Sequence, residues 1–160
     1  MALFGRTPIP LYAAALLLGT LLVYQLYAPK GERTDIELYP DDVQMVADGK
    51  TLYADHCASC HGAGLEGENN WRERKASGRL PAPPHDKTGH TWHHDDRALF
   101  NLTKHGPQFV AGDDYESDMP AFKDVLTDRE IVAILSFIKS TWPEKVRETH
   151  DEINRRARLK

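Results

Sequence analysis

The chain has 160 residues, 28% of them charged, and its formal net charge is −4. This length suits one modest domain with appendages. The acidic balance gives no sign of a nucleic-acid-binding protein, so no nucleic acid is expected among its partners. Two cysteines exclude a disulfide framework and a four-cysteine zinc site.

The N-terminal segment is the first distinctive feature of the chain. Between Arg6 and Lys30 there is no charged residue, and this length matches the roughly 20 residues that a helix needs to cross a bilayer. Tyrosines near both ends are typical of membrane interfaces. A cleaved signal peptide is the alternative, but its apolar region is shorter and it ends in a better cleavage site. We therefore predict an uncleaved transmembrane anchor over residues 1–29 and a polar linker over residues 30–40.

A helical pattern begins near Asp41, where Val43, Val46 and Tyr53 recur on one face. An aspartate at its start can cap this helix. Gly49 lies inside the pattern, although an interior glycine lowers helix stability by about 1 kcal/mol relative to alanine. A second helix that crosses closely at this point would explain the glycine.

The next segment, residues 62–93, has no sustained periodicity and is rich in glycine and proline. Long ordered loops in small domains usually serve a function, and we expect this one to wrap around a bound group. A short helix follows, which begins at Asp95 or Asp96 and ends at Gly106. Residues 107–126 are again irregular.

The strongest helix signal comes near the end of the chain. Thr127 and Glu130 form a capping box, and apolar residues follow at i, i+3, i+4 and i+7 from Ile131. The dipeptide Trp142-Pro143 ends this helix.

The tail over residues 143–160 is mostly charged. We interpret it as a solvated helix packed loosely on the domain, with a dedicated docking helix as the alternative. No segment shows strand-like alternation, so the predicted fold class is all-α.

Both cysteines lie in the sequence Cys57-Ala-Ser-Cys60-His61. Cys-x-x-Cys-His is the attachment signature of c-type haem, in which the thiols add to the haem vinyl groups and the histidine becomes the proximal iron ligand. A thioredoxin-like disulfide would need a strand-rich context, and zinc would need two further ligands. Because three short helices enclose too small a core to order so long a loop, one covalently attached haem c best explains the centre of the domain.

A second iron ligand should come from elsewhere in the chain. Met119 is the candidate, because its thioether lies in an irregular segment and Pro120 stiffens the backbone behind it. Met45 falls on the first helix, and we expect it in the core. The alternatives are that Met119 is an exposed loop residue or that a histidine binds the iron instead. The candidate histidines are His85, His90, His93, His94 and His105, and the first four also raise the alternative of a copper or zinc site.

With these features, residues 41–142 resemble a class I cytochrome c, the monohaem His/Met family. The matching features are the attachment motif after the first helix, the prolines of "LPAPP", the methionine–proline pair and the final capped helix. The resemblance implies a cytochrome c fold of three core helices around the haem. It also implies that Gly49 and Tyr53 cross Ile134 and Phe137.

The resemblance implies two further cofactor-binding residues. In the family a proline carbonyl accepts the other ring N–H of the proximal histidine; Pro81 is the predicted acceptor, with Pro83 and Pro84 as alternatives. A loop aromatic near a haem propionate is also common, and Trp92 in "GHTWHH" is the predicted one. The chain departs from the family in its anchor, in the longer loop after His61 and in its charged tail.

Iron held by histidine and methionine has no vacant coordination site, and methionine ligation raises the reduction potential. The expected function is therefore a membrane-tethered one-electron carrier and not an enzyme. The resemblance implies partners in a respiratory chain, a quinol–cytochrome c oxidoreductase and a terminal oxidase. The haem domain would then lie in the periplasm and the anchor in the bacterial inner (cytoplasmic) membrane. The alternatives are a haem-bearing subunit of a larger membrane oxidoreductase complex and a ligand-binding or peroxidase-type enzyme with a labile methionine.

The residues directly before Met119 are strongly acidic, with Asp113, Asp114, Glu116 and Asp118 in six positions. We expect this charge to border the haem edge where electrons leave. At least one partner should then present a basic docking surface, with an attraction that weakens as salt rises.

Overall fold

The computed structural model describes residues 36–112 and 114–159. Within these residues all regular structure is helical, which confirms the all-α prediction. The α-helices are α1 (Val43–His56), α2 (Ala58–His61), α3 (Asp96–His105), α4 (Gln108–Ala111), α5 (Asp128–Ser140) and α6 (Glu144–Arg158). A 3₁₀ helix over Thr91–His93 precedes α3.

The predicted anchor over residues 1–29 lies outside the described residues, as do the linker up to residue 35 and Asp113. The described residues form one compact unit. None of the helices within the described ranges is long and apolar enough to cross a membrane.

Helices α1 and α5 make the most extensive helix–helix contact and cross at Gly49. A Cβ atom on Gly49 would overlap the backbone carbonyl of Ala133 in α5. One turn further along α1, the rings of Tyr53 and Phe137 pack with their centroids 5.5 Å apart. The predicted crossing is confirmed, and the absent side chain at Gly49 is what allows the two backbones to approach.

The capping residues also lie where the sequence predicts them. The Asp42 side chain accepts hydrogen bonds in the first turn of α1, and Asp95 does the same for α3. Thr127 and Glu130 form the reciprocal capping box of α5. These bonds satisfy backbone N–H groups that have no partner inside the helix.

The core is formed largely by the inner face of α5. Ile131, Ile134 and Ile138 are at most 2% exposed, and full burial of such a side chain stabilises a fold by about 1.5–3 kcal/mol. The buried aromatic residues Tyr53 and Phe100 pack in the same cluster.

Helix α6 packs far more closely than its charged sequence predicts. His150 is fully buried, and Asn154 is 6% exposed. The side-chain oxygen of Asn154 accepts a hydrogen bond from the backbone N–H of Asp96 (2.8 Å), and its side-chain nitrogen donates to the Asp96 carboxylate (3.0 Å). On the neighbouring helix, Lys139 donates to Asp151 at 2.6 Å. The tail is a helix as expected, but the prediction of loose packing is wrong, because polar side chains supply its contacts.

The two segments predicted as irregular differ from each other. Residues 62–90, called the long loop below, contain no helix or strand. The segment over residues 107–126 contains the single-turn helix α4, which is too short to leave a periodic signal in the sequence.

Candidate haem site

The cysteine motif lies where α1 passes into the single turn of α2. The backbone N–H of Cys57 donates to the backbone carbonyl of Tyr53 and so continues the hydrogen bonding of α1. The Cys57 carbonyl accepts from the backbone N–H groups of Cys60 (3.1 Å) and His61 (2.9 Å). Both thiols are free; Cys57 is partly buried and Cys60 is exposed. The Tyr53 hydroxyl donates to the Gly62 carbonyl (2.9 Å) and closes the end of the motif. One turn of helix thus brings together the two thiols and the imidazole.

The Cys57 thiol is not poised for redox exchange. Burial raises its pKa to about 11, and the nearby Cys60 thiol adds to the shift. The active cysteines of Cys-x-x-Cys oxidoreductases depend on a lowered pKa instead. This difference argues against a thioredoxin-like disulfide.

His61 is held as a neutral ring with one nitrogen available. It is 7% exposed, and its Nδ1 lies 2.9 Å from the carbonyl oxygen of Pro83. Burial lowers the pKa of His61, while the bond to Pro83 and the charge of Glu68 oppose the shift. Since a carbonyl can only accept, Nδ1 carries the proton and Nε2 keeps a lone pair that can bind a metal.

The structure gives the acceptor role to Pro83 and not to Pro81, which corrects the prediction. Next to Pro81, the Ala82 carbonyl accepts a hydrogen bond from the backbone N–H of Glu68 (2.9 Å). The Ala82 N–H in turn donates to the Glu68 carboxylate (2.6 Å). Gly67 lies against the backbone at Pro83, with a φ of +68° that favours glycine, and a Cβ there would overlap this backbone. These contacts fix the register of the proline segment so that the Pro83 carbonyl faces the histidine.

The two methionines of the described residues have different surroundings. Met45 is 7% exposed on the inner face of α1, as expected. Met119 lies in the irregular segment after α4, packs against the core while partly exposed, and its amide donates to the hydroxyl of Ser117 (3.1 Å). Of the two methionines, only Met119 therefore lies in a non-helical segment.

Trp92 has a buried indole Nε1 with no hydrogen-bond partner among the described residues. Its ring stacks on His93, with the centroids 3.7 Å apart. A buried donor without an acceptor costs about 1–3 kcal/mol, so a bound group should supply one. Haem propionates are such acceptors, and the residues present therefore fit the group that the motif predicts.

The histidines between residues 85 and 94 are not gathered into a metal site. His85 stacks on His61 (centroids 4.0 Å apart), His90 stacks on Trp71 (5.3 Å), and His93 stacks on the neighbouring tryptophan. The described residues contain no group of three or more side chains that could hold a metal ion. Three of these four histidines are thus held by stacking on a neighbouring ring.

His85 is the site residue whose contacts the sequence does not reveal. Burial, with His61 and His90 close by, holds the pKa of His85 well below its usual value. The ring is therefore neutral at pH 7. The sequence suggested His85 only as an alternative iron ligand or as part of a copper or zinc site, because its stacking partner lies in a different segment.

The acidic segment before Met119 is partly neutralised by the long loop. Arg79 donates to Asp118 at 2.7 Å and lies 3.5 Å from Glu116. Lys75 lies 3.7 Å from Asp118. Any docking surface here carries less net negative charge than the sequence alone suggests.

Comparison with protein families gives a match to the cytochrome c family over residues 46–142, more than half of the chain. No curated protein and no solved structure matches the chain. The matched segment runs from α1 to the end of α5 and leaves out α6. It contains Cys57 and Cys60 at the spacing that covalent haem attachment requires, so haem c is the cofactor. The chain belongs to the cytochrome c family of electron-transfer proteins.

Proposed function

We propose that this protein is a one-electron carrier whose haem iron is bound by His61 and Met119. The observation that carries the proposal is the 2.9 Å hydrogen bond between His61 Nδ1 and the Pro83 carbonyl. It leaves the Nε2 lone pair for the iron, and the Pro83 carbonyl fixes the orientation of the ring.

The surroundings of the site suit electron transfer better than chemistry on a bound substrate. If His61 and Met119 both bind the iron, no coordination site would remain for oxygen or peroxide. The soft thioether of Met119 would raise the reduction potential, and the indole N–H of Trp92 could donate to a propionate. The haem supplies the redox centre, and the chain holds its ligands in fixed positions.

The ligand set is tested by replacing Met119 with alanine and comparing the oxidised proteins by absorption spectroscopy. The weak long-wavelength band between sulfur and ferric iron should disappear, and the reduction potential should fall. Met45→Leu is the matched control, because Met45 is buried on the inner face of α1. This variant should keep the band. A band that survives in Met119→Ala would contradict the proposed ligand.

The proposed location is the bacterial inner membrane, with residues 1–29 as the anchor and the haem domain in the periplasm. Residues 7–29 of this segment carry no charge and are mostly apolar, which supports the proposal. The full chain should stay with membranes in high salt and keep residues 1–29. A soluble form that begins near Pro29 would instead indicate a cleaved signal peptide.

The proposed partners are a quinol-oxidising complex as electron donor and a terminal oxidase as acceptor. Two exposed apolar side chains on α4, Phe109 and Val110 (each 62% exposed), fit a docking surface. The same surface would serve a haem-bearing subunit fixed in a larger complex. Purification in mild detergent distinguishes the two, because a fixed subunit copurifies with the complex at constant ratio and a carrier does not.

A further inference from the structure

His85 covers one face of the His61 ring. The two ring centroids are 4.0 Å apart and the planes differ by 25°. Tyr53 approaches His85 edge-on, with centroids 6.3 Å apart. The proximal histidine is thus packed against a flat neighbour that itself rests on α1.

A stacked neighbour constrains the His61 ring in a way that its hydrogen bond does not. The bond from Nδ1 to Pro83 tolerates an angular change of tens of degrees before it weakens steeply. A ring in stacked contact resists the same rotation, because turning one plane drives its edge into the other. The rotational position of His61 therefore depends on where His85 is held.

Three hydrogen bonds hold His85 in place. Its Nδ1 lies 2.8 Å from the hydroxyl of Thr91, which donates onward to the Pro84 carbonyl at 3.5 Å. Its backbone N–H donates to Leu65 (2.8 Å), and its carbonyl accepts from Trp142 Nε1 (2.7 Å). Thr91 and Trp142 are both buried, so this arrangement is anchored from the loop and from the end of α5.

We propose that His85 is a positioning residue that sets the rotational orientation of the His61 ring, and that Thr91 fixes the plane of His85. The inference rests on the proposed ligation of iron by His61. The orientation of each iron ligand affects how unpaired electron density is distributed over the four haem methyl groups of the oxidised protein. Because Met119 is the same in every variant, a change in the order of the four methyl resonances in a proton NMR spectrum would report a change in the orientation of His61.

The test compares oxidised holoprotein carrying His85→Leu, Thr91→Val or His94→Gln with the wild type. His85→Leu removes the flat ring and should change the order of the methyl resonances. Thr91→Val keeps the shape of the side chain but removes the hydroxyl, and it should shift the same resonances in the same direction by less. His94→Gln is the control, an exposed histidine of the same segment, and should leave the spectrum unchanged.

An unchanged methyl order in His85→Leu overturns the inference. If that variant fails to bind haem, Thr91→Val decides alone, and unchanged resonances there overturn it. Failure of the proposed iron ligation is visible separately, because the His61 ring protons of the wild-type protein would then lack hyperfine shifts.

Discussion

The crossing of α1 and α5 is held by apolar packing, whereas the long loop beside it is held by hydrogen bonds to backbone groups. At the crossing, Gly49 lets two backbones touch, and the isoleucines of α5 fill the core. In the loop, Gly67 N–H donates to the His61 carbonyl (2.7 Å), and Trp142 donates to His85. The helices thus fix where the motif lies, and the loop fixes how the histidine is turned.

The difference matters because apolar packing and buried hydrogen bonds respond differently to a substitution. Apolar packing is spread over many atoms, and a small change is shared among them. A buried hydrogen bond is a single contact, and losing one partner leaves the other unsatisfied at a cost of about 1–3 kcal/mol. Substitutions at the crossing should therefore change stability, while substitutions in the loop should also change the spectrum of the haem.

The largest loss of stability is expected where α6 meets the domain, at Asn154. Its amide makes two hydrogen bonds with Asp96, one of them to a buried carboxylate. Asn154→Ala leaves both groups of Asp96 without this partner, so the free energy of unfolding of the holoprotein should fall by about 3 kcal/mol. Denaturant titration measures this, with Arg155→Ala as an exposed control on the same helix. Equal midpoints for the two variants would show that the bonds to Asp96 do not hold α6.

A smaller loss is expected at the crossing itself. Gly49→Ala places a methyl group against the Ala133 carbonyl, and the strain should exceed the gain of about 1 kcal/mol in helix propensity. The net decrease in unfolding free energy should be about 2 kcal/mol. Lys50→Ala introduces the same residue at the next, exposed position of α1 and should change stability by less than about 0.5 kcal/mol. A stabilised Gly49→Ala protein would mean that the helices can separate at little cost.

A third substitution tests the loop without touching the crossing. Trp142→Phe keeps a buried aromatic ring but removes the N–H that donates to His85. We expect a loss of about 1.5 kcal/mol in unfolding free energy together with a shift of the haem methyl resonances. Gly49→Ala should lower stability without that shift. If both variants shift the resonances equally, loop and crossing do not have separate roles.

The same contrast explains which features the sequence predicts. The caps, the α5 helix and the Gly49 crossing follow from signals within one helical segment, where spacing and residue type are sufficient. The choice between Pro81 and Pro83 is different, because neighbouring prolines offer the same carbonyl. It depends on the pairing of Glu68 with Ala82, which no spacing rule reveals.

Helix α6 shows the same limit more strongly. Sequence patterns detect burial through apolar periodicity, but α6 is buried through His150 and Asn154. Their partner Asp96 lies 58 positions before Asn154. When the partners of polar and charged side chains lie on other helices, the sequence alone does not reveal that those side chains are buried. The contacts of His85 are hidden for the same reason.

The smallest expected effect concerns pH, through His150. Burial and the charge of Lys139 lower the pKa of this histidine, and the carboxylates of Asp96 and Asp151 oppose the shift. The folded-state pKa lies below the unfolded value of about 6.5. As pH falls, the unfolded chain therefore binds more protons than the folded protein, and the stability of the fold decreases. Between pH 7 and 5.5 this histidine should lower the unfolding free energy by at most about 1.3 kcal/mol, while other buried histidines add to the total. His150→Gln should reduce the pH dependence by that amount, as denaturant titrations at pH 7 and 5.5 would measure. Identical pH profiles for wild type and His150→Gln would show that the carboxylates of Asp96 and Asp151 fully offset the burial of His150, so that its pKa is not lowered in the folded state.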